Sequence, residues 1–326
     1  MIPLSVLDLV SVRAGGTPAE ALTQAALLAQ TAERLGYRRF WVAEHHGMPG
    51  IAGGATAVVL AHIGAATSAI RIGAGGIMLP NHNPFVIAEQ FGTLHALYGD
   101  RIDLGLGRAP GADSRVAQML HKDIAQASHY FPQDVAELQA LFAGSADLPL
   151  RATPGAGAKV DLWILGSSLF GAQLAAHLGL PYAFAAHFAP DHLDAALTLY
   201  RERFRPSPAC AEPHVMVGMN VLCAATDEEA WTLASSQDQS FVALRTGAPG
   251  PLPPPIPNYR ASLPAPARAM LEHMRAAAAI GAPATVRSAI EAFVARTGAD
   301  EIIVAGATFD PAARRRSLEL TMEALA

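Results

Sequence analysis

Arg39-Phe40-Trp41-Val42-Ala43-Glu44-His45-His46 is a short apolar run that ends abruptly in three ionisable residues. An unbroken run of aromatic and β-branched residues reads as a strand buried on both faces, the kind found in parallel sheets. Similar runs lie at 4–10, 71–78, 102–106, 160–165, 182–186, 215–223 and 301–305. Helical segments separate them. Thr17-Pro18-Ala19-Glu20 combines an N-cap, a proline at the first helical position and a capping-box acid, and Gly36 stops the helix it opens. Asn83-Pro84, Thr226-Asp227-Glu228-Glu229 and Asp310-Pro311 open three more, and helices are expected over 55–67, 132–143, 169–178 and 191–204. Eight β-α units in series, with apolar strands throughout, predict a (β/α)8 TIM barrel of class α/β, one domain over residues 1–326. A doubly wound sheet would open with a glycine-rich dinucleotide turn, and Arg13-Ala14-Gly15-Gly16 lacks that spacing.

Residues 247–257 interrupt the rhythm, with five prolines between Pro251 and Pro257. Neither a helix nor an inner strand can form there. The segment reads as an inserted loop, either a surface excursion or a lid over the barrel mouth.

Composition narrows the class. Of 326 residues, 51% are hydrophobic and 16% charged, which excludes a disordered chain. A chain of this length buries about 75% of its unfolded surface and needs no staple. The net charge of −5, with no basic run beyond Arg314-Arg315-Arg316, argues against nucleic acid as a partner. Cys210 and Cys223 are too few for a disulfide framework and too isolated for zinc. No run of about 18 apolar residues would span a membrane, and the first residues lack a signal-peptide pattern. A cytoplasmic enzyme acting on a small molecule is the expectation.

The chemistry of such a barrel gathers at the C-terminal ends of its strands. There the chain places Glu44-His45-His46, Gly75-Gly76, Gly105-Leu106-Gly107-Arg108-Ala109-Pro110-Gly111, Gly166-Ser167-Ser168 and His187. Strand alternation turns His45 and His46 to opposite faces, so the two do not share a metal, and no metal site is expected. One of them, beside an acid, is a candidate general base, and alternation leaves open which faces inward. Arg108 reads either as a carboxylate or helix-dipole partner or as an anion contact. Gly166-Ser167-Ser168 reads as a helix N-cap or, through free backbone N–H groups, as an anion cup. Together with Arg108 it describes one phosphate site on the rim. Glycines at 75 and 76 are costly in a strand and suggest close approach by a flat ligand. A planar, phosphorylated cofactor fits these features, with flavin mononucleotide (FMN) the first candidate.

On these residues, together with Ile72-Gly73-Ala74-Gly75-Gly76-Ile77-Met78-Leu79-Pro80, Glu89-Gln90, Gly179-Leu180-Pro181 and Gly298-Ala299-Asp300-Glu301-Ile302-Ile303-Val304, the chain resembles the bacterial luciferase-like flavin-dependent monooxygenases. The resemblance runs nearly end to end and looks closest to the alkanal-monooxygenase-like branch. It implies a barrel that takes reduced FMN, supplied by a separate NAD(P)H:flavin reductase, and uses oxygen to oxidise a small apolar carbonyl or related compound. By this resemblance His45 is the catalytic histidine, Arg108 the phosphate-binding arginine, and Gly166, Ser167 and Ser168 the phosphate turn. Gly75 and Gly76 match the position where the family often has a non-prolyl cis peptide beneath the flavin. A homo-oligomer, a dimer, is also implied. An F420-dependent hydride-transfer enzyme and a non-catalytic flavin-binding protein are the alternatives. Gly107 stands where luciferase alpha chains carry a cysteine, so the resemblance does not extend to light emission.

Overall fold

The computed structural model describes residues 2–109, 114–120 and 123–326. Nine strands are described: β1 (Leu4–Asp8), β2 (Arg39–Val42), β3 (Arg71–Met78), β4 (Ile102–Gly107), β5 (Asp161–Gly166), β6 (Tyr182–Phe184), β7 (Val215–Cys223), β8 (Ala278–Gly281) and β9 (Glu301–Ala305). The helices are α1 (Pro18–Arg34), α2 (Thr56–Ala66), α3 (Pro84–Tyr98), α4 (Ser114–Met119), α5 (Ile124–Ala143) and α6 (Leu169–Leu178) in the first half. They continue with α7 (Leu193–Arg203), α8 (Asp227–Arg245), α9 (Tyr259–Ser262), α10 (Ala265–Met274), α11 (Pro283–Thr297) and α12 (Pro311–Leu325). Strands β1 to β7 pair in sequence, and β7–β9 and β9–β1 close the ring, every pair parallel. The result is the expected (β/α)8 barrel.

Three local readings differ from the sequence expectation. The strand expected at 301–305 closes the barrel as β9, because a further strand, β8, comes before it. Asn220 of β7 pairs with Ala305 on one edge and with Ala278 of β8 on the other, so β8 extends the upper half of β7 beyond β6. Four residues, Ala-Ala-Ile-Gly, carry too short and too small an apolar run to announce a strand. Helix α5 starts at Ile124, capped by Asp123, rather than at 132, and Pro132 lies inside it at the loss of one ladder bond. The helices α9 and α10 follow the proline-rich stretch without a periodic signal strong enough to find them.

Alternation along the strands divides the apolar residues into two layers. Leu7, Trp41, Ala43, Trp163, Ala183, Met216, Ile303 and Ala305 fill the barrel interior, and a larger cluster lies between strands and helices. The N-terminal end is closed by ions. Arg39, with a side chain only 3% exposed, gives Nε to Glu301 at 2.7 Å and Nη1 to Asp103 at 2.8 Å. Trp41 Nε1 and Arg71 Nε also donate to Asp103, at 2.9 and 2.8 Å. The Arg39 guanidinium lies 4.8 Å from the Trp163 ring centroid.

The insertion between β7 and β9 is tied down at the opposite, C-terminal rim. After α8 the chain doubles back along it: Gln239 donates to the Pro254 carbonyl (2.9 Å), and Ser235 Oγ accepts from Ile256 N–H (2.7 Å). Just before those points Leu252, buried, exchanges backbone hydrogen bonds with Val12 and Ala14 in the loop after β1, both 2.8 Å. The Gly250 carbonyl packs so closely on Gly50, in the loop after β2, that a Cβ there would meet it at 2.1 Å. Residues 247–257 therefore form an extended strap from the β7 side to the β1 and β2 loops. No described helix is long and apolar enough to cross a membrane.

Candidate active site at the C-terminal rim

Past the end of β2 the backbone continues to alternate, and this separates the paired histidines. Glu44 and His46 share one side, where His46 Nε2 lies 2.7 Å from Glu44 Oε1. His45 turns the other way. The residue is partly exposed, yet its Nδ1 is buried and has no hydrogen-bond partner among the described residues. His187, beyond β6, also has a buried Nδ1 without a partner among the described residues, packed against Gly218. Its backbone is held from β7 and α8, because Asn220 Nδ2 donates to the His187 carbonyl (2.5 Å) and accepts at Oδ1 from Gln237 (2.9 Å).

The two imidazoles interact electrostatically. Burial, and secondarily the charge of His45, lowers the His187 imidazole to about 4. Burial also lowers His45, against the pull of Glu44. Both are neutral at pH 7 and able to accept a proton. Buried polar atoms are ordinarily paired, so two unpaired imidazole nitrogens in one region point to a missing partner.

Glu44 is the residue whose importance the sequence did not reveal. Its side chain is 1% exposed, and it receives Met78 N–H at 3.2 Å and Asn81 Nδ2 at 3.4 Å. His82 Nε2 lies 2.9 and 3.0 Å from its two oxygens. Burial alone would raise this carboxyl, but the hydrogen bonds with His46 and His82 prevail and hold it at about 2. The same bond raises His46. Spacing two apart along a strand could have paired Glu44 with His46; nothing local could have brought in His82.

Past the ends of the neighbouring strands β4 and β5, Arg108 comes against the start of α6, which follows the Gly166-Ser167-Ser168 turn. The Arg108 guanidinium stacks 4.0 Å from the centroid of Phe170, in the first turn of α6. No carboxylate among the described residues lies in salt-bridge range of it. Ser168 occupies the N-cap position of α6 without a side-chain hydrogen bond, so backbone N–H groups of the first turn remain open to an anion. Pro110 and Gly111, which complete the sequence motif around Arg108, lie outside the described residues.

The peptide between Gly75 and Gly76 is cis. The strand register slips there, Gly75 facing Gly105 and Ile77 facing Leu106. Packing within the barrel by itself requires glycine at both positions. A Cβ on Gly75 would lie 2.8 Å from both Leu7 and Trp41, and one on Gly76 would lie 2.6 Å from the Gly105 carbonyl oxygen. A separate cavity of about 420 Å³ opens between α1 and α12, lined by Asp8, Arg13, Gln24, Leu252, Arg314 and Arg315; none of the expected site residues reaches it.

The family model described as luciferase-like monooxygenase matches residues 2–301. A luciferase-like monooxygenase of Escherichia coli (strain K12) is 46% identical over 323 residues, covering 99% of this chain and 96% of that protein. An N-acetyl-S-alkylcysteine monooxygenase of Bacillus subtilis (strain 168) is 35% identical over 254 residues, 76% of this chain and 75% of that one. Among solved structures, apo-MsnO8 superposes with a TM-score of 0.89 at 36% identity, covering 99% of this chain and 98% of the other. Two more distant likenesses are of fold. The oxygenating constituent of 3,6-diketocamphane monooxygenase of Pseudomonas putida, in complex with FMN, has a TM-score of 0.77 at 19% identity, with 100% and 98% covered. An F420-dependent secondary alcohol dehydrogenase has a TM-score of 0.74 at 15% identity, with 100% and 99% covered.

Proposed function

The chain belongs to the luciferase-like monooxygenase family, and from that premise we propose that it is an FMN-dependent monooxygenase acting on a small apolar carbonyl or related compound. The observation that carries this reading is the open N-terminus of α6 with the Arg108 guanidinium stacked on its first turn. That pairing suits one terminal phosphate, because N–H groups and a forked guanidinium converge on its oxygens. The unpartnered Nδ1 atoms of His45 and His187 support a ligand across the same mouth.

Arg108 and the Gly166-Ser167-Ser168 turn would hold the phosphate. Reduced flavin bound there, delivered by a separate NAD(P)H:flavin reductase, would supply the electrons for oxygen activation. His45, neutral at pH 7, accepts or holds a proton at its imidazole. His187 keeps the adjoining wall uncharged. The strap over 247–257 serves as a cover that limits access of water.

An F420-dependent hydride transfer is the second reading, favoured by the likeness to the secondary alcohol dehydrogenase fold. Oxygen uptake separates the two. Chemically reduced FMN with a panel of short aldehydes and ketones should give oxygen consumption coupled to product. Turnover only with F420, and independent of oxygen, would overturn the monooxygenase reading.

A further inference from the structure

We propose that Glu44, His46 and His82 bind a divalent transition-metal ion, a site that goes beyond the flavin reading and does not depend on it. The three donor atoms come from two separate segments, the end of β2 and the turn after β3, and all lie within 4.8 Å of one another. His46 Nε2 and His82 Nε2 stand 2.7 and 2.9 Å from the same oxygen, Glu44 Oε1. Ligands held about 2.0–2.1 Å from a shared ion in neighbouring coordination positions are roughly 3 Å apart. The observed spacing needs only small adjustment.

Hydrogen bonding accounts for this convergence incompletely. A carboxylate oxygen offers two lone pairs. Three nitrogens crowd Oε1, since Asn81 Nδ2 also approaches it at 3.4 Å. An ion seated between the carboxylate and the imidazoles would take the lone pairs of both histidines and relieve that crowding. Met78 N–H, on Oε2, would then orient the ligand from behind, the role that supporting hydrogen bonds play around metal sites.

The chemistry of the donor set selects the ion. Two imidazole nitrogens and one carboxylate oxygen suit Zn²⁺, Co²⁺ or Ni²⁺; Mg²⁺ and Ca²⁺ prefer oxygen alone. The Glu44 side chain is 1% exposed, whereas those of His46 and His82 are 22% and 27% exposed. An ion here would be anchored from the interior and keep a face toward solvent. It would fasten the end of β2 to the turn after β3, next to His45.

The test uses the full chain, stripped by chelation and held at pH 8 without flavin, with Co²⁺ and Zn²⁺ as probes. One Co²⁺ per chain should bind, with visible absorption of nitrogen–oxygen coordination, and Zn²⁺ should displace it. His82→Gln and His46→Gln should each weaken binding by more than the roughly 10- to 100-fold expected for loss of a mere supporting hydrogen bond. Wild-type binding no tighter than that of His82→Gln would overturn the proposal. If neither variant folds, nitrogen NMR of the wild type decides. The Nε2 resonances of His46 and His82 should shift with one equivalent of Zn²⁺, and unchanged resonances would reject the site.

Discussion

At the N-terminal end of the barrel Arg39 is fully engaged, with Nε and Nη2 on Glu301 and Nη1 on Asp103. At the C-terminal end His45 and His187 each keep a buried nitrogen without a partner among the described residues. The same eight strands build both regions, so strand geometry does not explain the difference. The lower layer has only to hold the barrel shut, and there paired charges fix strand register. At the upper rim His45 and His187 leave nitrogens that the proposed ligand would pair, and buried nitrogens without a partner among the described residues also occur lower down, at Trp163 Nε1 and His214 Nε2. On the proposed function, stability and function would occupy opposite ends of the same strands, as in other such barrels.

The sharpest way to break that division is at His45. His45→Ala should lower turnover by about 10²- to 10⁴-fold, while urea denaturation and flavin binding stay close to wild type. A large loss of stability with normal turnover per folded molecule would place His45 with the structural residues. Arg39→Met is the reverse experiment. It leaves Asp103 and Glu301 buried without their shared cation and should cost about 3–5 kcal/mol in urea denaturation. A variant that is as stable as wild type but inactive would contradict the assignment of the lower layer to stability alone.

A smaller effect depends on pH. The folded-state pKa of His187 is depressed to about 4, below the value near 6.5 expected when unfolded. The unfolded chain therefore takes up a proton that the folded chain refuses. Stability should fall as pH drops from about 6.5 toward 4, by at most about 1.4 kcal/mol per pH unit from this group. Glu301 and Glu44, both held at about 2, act in a lower window. Their contributions are lost as pH falls below about 4.5. His187→Gln should flatten the upper slope and leave the lower one. Denaturation midpoints between pH 3 and 7.5 measure both, and an unchanged upper slope would remove His187 from this account.

Much of this was legible in the chain because strand-end chemistry is local. Arg39 and the apolar run 40–43, followed by Glu44-His45-His46, mark a barrel strand and its mouth in eight consecutive residues. Gly166-Ser167-Ser168 before an apolar helix marks the open end of α6 in the same way. What stayed hidden is non-local. His82 reaches Glu44 across 38 positions, through a turn that no periodicity describes. The glycines of β3 are visible in the chain, but the neighbours that crowd them, Trp41 and Leu7 at Gly75 and the Gly105 carbonyl at Gly76, come from adjacent strands and follow only from the register. Arg39, Asp103 and Glu301 each sit at the beginning of a different strand, and their convergence follows from barrel closure.

The central claim is that the rim at Arg108 and α6 receives the phosphate of FMN, and comparison with riboflavin tests it most directly. Riboflavin presents the same ring system without the phosphate, so titrating both flavins into wild type and Arg108→Ala isolates that contact. Loss of one charged hydrogen-bonding partner costs about 1.5–3 kcal/mol, or roughly 10- to 150-fold in affinity. FMN affinity should fall by that factor in Arg108→Ala, while riboflavin affinity barely changes. Equal losses for the two flavins, or none for either, would contradict a phosphate site at Arg108.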